Sequence, residues 1–358
     1  MRPPLPAAEV IKAIEHKSPS RVPMMLHFWT NADRFEGRAP AVRQIMDEYP
    51  SDVFVANAVM PAIWDSANRP ADVPKYSWMH LVEPPAPAVT RGHDANVAIE
   101  DWSQLDGILA AWPDPTLPHV FANPVRNVRE NAAGRYVLAT WWYCLYERLW
   151  SLRGMENIML DFYLNPQPLH RLMDALTDFY CGLIRNAAKE VGCHGIFTSD
   201  DIGMQTGPMF SREIFLEFFK PRYARIIKTA HDLGMHFWLH TCGDVRLFME
   251  DFIEIGLDVI HPIQKYTMSE PEIARHFGGR ICFWAGMDVQ QTLPGGTPQA
   301  VRDEVRFMID TYDRPDGGCM ITAGNCVTPD VPVENLRAFF DETYNYGLSH
   351  RNGGVTKK

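Results

Sequence analysis

From Leu239 to Asp244 the chain reads LHTCGD, a histidine and a cysteine two residues apart, directly after the apolar run MHFW. Imidazole nitrogen and thiolate are donor types that zinc favours, and residues two apart on a strand share a face, so His240 and Cys242 can reach one ion. A catalytic zinc needs about three protein ligands and one open position. The run CMITAGNC ends on Cys326, which supplies the third; Cys319, seven residues earlier, falls toward the opposite rim. Asp200-Asp201 adds two adjacent carboxylates that raise each other's proton affinity, a candidate fourth ligand or general acid/base. Free cysteine is also a common buried hydrophobe, so a core role for the thiols stands beside the metal reading.

Other polar residues end apolar runs in the same way: His27, Asn57, His261 with Gln264, Asp288 and Asn325. Any one of them could be a helix cap or a hydrogen-bonded loop residue, and Asp244 reads best as a cap. Together they describe a pocket for a small-molecule substrate. Trp141 and Tyr143, with Trp29, Trp142 and Trp284, add aromatic surface suited to a flat or methylated ligand, although aromatics also fill barrels.

The elements that must position these residues are short apolar runs rich in Val, Ile, Phe and Trp. They are RVPMMLHF, DVFVANA, RYVLATWW, HGIFTSDD, MHFWLHTCG, LDVIHPIQ, ICFWAGMD and CMITAGNC. Near-continuous apolar character marks parallel strands buried on both faces. Helical patterns separate them, opened by Asn165-Pro166, Thr297-Pro298 and Pro332. Eight alternations with no Gly-rich fingerprint after the first strand predict an α/β fold, a (β/α)8 TIM barrel filling residues 1–358 as one domain. That fold gathers its chemistry at the C-terminal strand ends, where His240, Cys242 and Cys326 lie. The segment from Val59 to Gly134, rich in Pro and Trp, reads as a long insertion after the second strand, a lid over that face. LPGGT at 293–297 precedes a helix where barrels bind phosphate, but a plain turn explains it as well.

Charge excludes several classes of partner. With 34 Lys and Arg against 44 Asp and Glu the net charge is −10, without a basic block, which argues against nucleic acid and anionic membrane. The N-terminus lacks a signal-peptide core, and no window approaches the ~18 apolar residues of a membrane span. Seven cysteines at irregular spacing read as reduced thiols, hence a cytoplasmic protein.

The stretch PMFSREIFLEFFKPRYARI, with LHTCGD, LDVIHPIQ and TPDVPVENLRAFF, resembles the uroporphyrinogen decarboxylase superfamily; RVPMMLHF and LYERLWSLRGMENIMLDFYLNPQPLHRLMD are compatible with its N-terminal half. The resemblance implies the barrel and one of two chemistries. Decarboxylases of the family carry an R-Q-A-G-R motif after the first strand to hold substrate carboxylates. Here that stretch reads HFWTNADRF, with Arg34 and Arg38 the only nearby cations. The other branch resembles methylcobamide-dependent methyltransferases, whose H-x-C pair and distant Cys bind zinc and activate a thiol, with the corrinoid supplied by a partner protein or as free cobamide. His240 and Cys242 match the pair. In that branch the last Cys follows a glycine directly, whereas this chain has Gly324-Asn325-Cys326. A one-residue shift turns a side chain to the other face, so either a bulge presents Cys326 or Asn325 takes its place. Asp200-Asp201 followed by GMQTGP, which contains Gln205, resembles members without an assigned activity. The readings carried forward are a zinc- and corrinoid-dependent methyltransferase or demethylase, a metal-free decarboxylase of a tetrapyrrole or other polycarboxylate using Asp200 or Asp201, and a non-catalytic binding barrel. In each the chain could work as a homodimer.

Overall fold

The computed structural model describes residues 2–79, 97–351 and 353. Its frame is a seven-stranded, all-parallel sheet in chain order: β1 Val53–Asn57, β2 Tyr136–Trp141, β3 Gly195–Ser199, β4 His236–His240, β5 Val259–His261, β6 Cys282–Met287 and β7 Cys319–Ala323. Every residue of β2, β3, β6 and β7 is buried, as strands covered on both faces must be. The register pairs Ser199 with His240 and His240 with His261, so three strand ends reach the same level at the C-terminal rim.

RVPMMLHF was expected as the first of eight strands, and here the structure differs. Only Met24 forms a bridge, parallel to Ile321 of β7. The Met25 N–H donates to the Ile321 carbonyl (3.1 Å), the Ile321 N–H to the Pro23 carbonyl (3.0 Å), and the Asp52 N–H to the Met24 carbonyl (3.0 Å). This segment therefore stands between β7 and β1 without becoming a regular strand. Pro23 lacks a ladder donor, and the chain turns where the Thr30 N–H meets the His27 carbonyl. The result is a curled, TIM-barrel-like sheet.

Between strands lie the expected helices, including Pro166–Glu190, Pro298–Tyr312 and Val333–Arg351. Thr297 caps the second through the Ala300 N–H. Asp244, read from the sequence as a cap, instead accepts from the Arg246 N–H and pairs with the Arg246 guanidinium, five residues ahead of the short helix Met249–Glu254.

Within the insertion, residues 80–96 lie outside the described residues. The described parts pack sideways on Pro166–Glu190: Trp78 meets Trp112 and Phe179 at ring separations of 5.0 and 4.6 Å, and Trp112 Nε1–H donates to the Ala175 carbonyl. Among the described residues, no helix is long and apolar enough to cross a membrane.

Candidate metal centre

Two loops leave the sheet side by side, one after β3 and one after β4, and their backbones lock together. The Asp200 N–H donates to the His240 carbonyl (2.9 Å), the Ile202 N–H to Thr241 Oγ1 (3.2 Å) and the Asp244 N–H to the Met204 carbonyl (2.8 Å). A Cβ on Gly203 would lie 2.6 Å from the Cys242 carbonyl oxygen, and Gly243, at φ +84°, faces Gly203 just as closely. Glycine at both positions lets the loops touch.

The contact brings Asp201, His240 and Cys242 together, with ligand atoms all within 4.8 Å of one another. His240 Nε2 is 3.3 Å from Cys242 Sγ and 3.5 Å from Asp201 Oδ1. Around a tetrahedral zinc with bonds of ~2.0–2.3 Å, neighbouring N, O and S donors stand ~3.3–3.6 Å apart, so the donor set fits the ion. Asp201 Oδ1 also accepts from the Cys242 N–H (2.7 Å), which fixes the carboxylate against the loop.

The tautomer of His240 follows from its neighbours. His261 Nε2 is 3.1 Å from the Ala323 carbonyl, which can only accept, so that nitrogen carries the proton. Burial, and then His240 itself, hold the His261 pKa well below the usual histidine value, so its Nδ1 is an acceptor. His240 Nδ1, 2.7 Å away, must then donate. Burial also lowers the His240 pKa, with Asp201 opposing. A neutral His240 thus turns its Nε2 lone pair toward Cys242 and Asp201, the orientation a metal ligand needs. Trp29 stacks on His261 at 5.1 Å and 12°, and Trp142 stands edge-on to His240 at 5.7 Å.

Several expected residues lie elsewhere. Asp200 is fully buried and points away: its oxygens accept from the Leu145, Tyr146 and Glu147 N–H groups and from Tyr223 Oη–H, so it caps the helix Tyr146–Arg153. Burial nevertheless pushes its pKa up to about 6. Cys326 is exposed and is not in the donor cluster. Asn325, though exposed, points to the thiol instead, with Nδ2 4.0 Å from Cys242 Sγ. Trp141 is buried against Tyr180, Tyr143 lies under the Arg148 guanidinium, and Gln205 is exposed on a hairpin tip. Asp288 accepts from the Gln290, Gln291 and Thr292 N–H groups and Tyr266 Oη–H; it also bounds, with Cys242, Gln264 and Asn325, a small cavity beside the thiol. Gln264 Oε1 holds the Gly243 N–H (2.6 Å). His27 and Asn57 line a separate cleft that reaches Cys326.

Sequence reasoning missed Glu147. It is buried, accepts from Ser199 Oγ–H, and burial together with the Asp201 and Asp200 carboxylates raises its pKa well above the carboxylate range. Its helix is buried on every side and so offers no apolar stripe from which a charged exception would stand out. Burial, then Asp201 and Glu147, push the Cys242 thiol upward as well.

The uroporphyrinogen decarboxylase (URO-D) family profile matches residues 145–346, and the chain belongs to that family. It is 23% identical to the uroporphyrinogen decarboxylase of Actinobacillus succinogenes over 258 residues, 70% of this chain and 71% of that one. It is 25% identical to the methylated-thiol–coenzyme M methyltransferase of Methanosarcina mazei over 189 residues, 52% of this chain and 47% of that protein, so the match spans about half of that relative. A solved methyltransferase from Methanosarcina mazei superposes with a TM-score of 0.63 at 13% identity, covering 94% of this chain and 98% of its own; that likeness concerns the fold.

Proposed function

We propose that the chain is a zinc-dependent methyltransferase, or a demethylase of the same system, with zinc held by His240, Cys242 and Asp201 and a corrinoid delivered by a partner protein or as free cobamide. The observation that carries the reading is the donor set itself: an imidazole lone pair fixed in direction, a thiol and a carboxylate at zinc-like separations. Zinc there would supply Lewis acidity, lowering the pKa of a thiol or other acceptor brought to the open position. The protein's own part is positional. His261 holds the His240 ring, Asn325 Nδ2 faces the sulfur, and Trp29 and Trp142 pack against the His240 ring.

The family's decarboxylase chemistry needs cations for a polycarboxylate, and this site offers few. Arg38 gives its guanidinium to the Val331 and Pro329 carbonyls, which leaves Arg34 as the remaining cation of the stretch. Of the two carboxylates that reading could use, Asp200 is committed to its helix and Asp201 stands among the metal donors.

We further propose that the whole chain is one (β/α)8 barrel with Pro23–Met25 as its eighth stave and residues 59–134 as an insertion. Seven free thiols suit the reducing cytoplasm. The test is elemental analysis of protein purified without chelators, followed by methyl exchange between methylcobalamin and coenzyme M. About one zinc per chain and measurable transfer are expected. Metal-free protein that transfers no methyl group refutes the reading.

A further inference from the structure

Beyond the Asp52–Met24 hydrogen bond, the first segment and β1 part toward the rim and leave a cleft of about 470 Å³. Its rim end is bounded by Trp29, Trp142 and Cys326, beside His240. Its far end is bounded by Ser51 and Arg135, just before β1 and β2. The wall between is mostly apolar in residue type, with Met25, Phe28, Val53 and Val55, and His27 and Asn57 are set among them.

Two polar groups mark the far end, a half-buried guanidinium and a buried hydroxyl. Arg135 is the only charged side chain on the cleft wall, and among the described residues it forms no ion pair. It donates to the Ala132, Ser51 and Asn131 carbonyls, which leaves two of its five N–H groups unused. The Asp52 carboxylate nearby is held by Arg21 and by the Leu5 and Met24 N–H groups. Ser51 is 5% exposed, and its Oγ has no hydrogen-bond partner. The buried hydroxyl is costly without a partner, and the half-buried guanidinium, laid over the Phe54 ring at 4.9 Å, keeps two N–H groups for an anion entering the cleft. His27, also on the wall, is pushed toward its neutral form by burial and adds no competing charge.

We propose that this cleft binds an elongated, mainly apolar carboxylate, its acid end held by Arg135 and Ser51 and its other end brought to Trp142 and Cys326. The span from Ser51 to Asn57 is six steps of ~3.3 Å, roughly 20 Å, so a chain or multi-ring acid suits it better than a small anion. Only the role of the ligand's end at Trp142 and Cys326 rests on the methyltransferase reading; the acid subsite at Arg135 rests on the cleft.

The probe is octanoate, compared by calorimetry with octan-1-ol and octylammonium on the full chain. Octanoate should bind at least about tenfold more tightly than either. Arg135→Gln should lose about tenfold or more, Arg135→Lys less, and Ser51→Ala about threefold. His240→Ala should remove zinc yet leave octanoate affinity unchanged, so failure of the metal centre and failure of the cleft are read separately. Absence of octanoate binding, equal binding of octylammonium, or undiminished binding by Arg135→Gln overturns the proposal. If Arg135→Gln fails to fold, Val55→Trp decides: it fills the cleft without touching Arg135, and retained binding would overturn the assignment.

Discussion

A single carbonyl, that of Ala323, sets the direction of the His240 lone pair through His261. Replacing His261 by Phe removes the acceptor for His240 Nδ1–H and should weaken zinc binding by about 10–100-fold, measured by competition with a chromophoric chelator. Asp201→Ala should likewise weaken zinc, whereas Cys326→Ser should leave the metal content unchanged; the opposite pattern would mean that the loop after β7 rearranges when metal binds. The sequence made His240 and Cys242 legible because Cys242, two residues past the end of β4, still turns to the side that His240 faces. It misplaced the partners because the two-residue period of a strand is not kept in the other loops. Past Ser199, adjacent carboxylates diverge, Asp200 into the core and Asp201 to the donors. Past Ala323, Asn325 points to the Cys242 thiol and Cys326 to the neighbouring cleft.

On the helix Tyr146–Arg153, Asp200 and Glu147 act in opposite senses. Asp200 accepts three backbone N–H groups at the helix start, so Asp200→Ala should cost roughly 2–4 kcal/mol in urea unfolding while sparing the donor set. Glu147 binds its proton more tightly in the folded chain than in the unfolded one. Its contribution to stability is therefore full below the ordinary carboxylate range and is lost as pH rises through the raised value. Glu147→Gln, neutral throughout, should show a smaller fall in Tm between about pH 5 and about pH 9 in metal-free protein. An unchanged slope would mean that Glu147 is ionised when folded. Neither role could be read from LYERLWS, because the helix is identified by what covers it and carries no periodic signal of its own. All seven strands of the sheet, β1 in DVFVANA included, were legible by contrast, since near-continuous burial leaves mostly apolar residues fit to occupy them.

Closure of the molecule depends on Asp52. Its carboxylate takes both arms of Arg21 and the Leu5 and Met24 N–H groups, at 0% exposure, and so fastens the N-terminal segment between β7 and β1. Removing one partner of a buried, paired charge costs about 3–5 kcal/mol. Asp52→Ala should therefore lower the urea midpoint and make the first 30 or so residues sensitive to limited proteolysis before the rest of the chain; simultaneous digestion throughout would show that the segment is not a separable closure. The sequence could not reveal this fastening, because an eighth apolar run predicts a strand, while the chain itself supplies a bridge and an ion pair.

The cysteines divide the molecule in another way. Five of the seven are buried, Cys242 is half-covered and Cys326 is exposed. A brief maleimide treatment of the folded chain should then attach one label, at Cys326, as peptide mass spectrometry would check. An environment-sensitive dye placed there would share the cleft wall with Trp142, making the native chain its own optical reporter of occupancy without any engineered thiol.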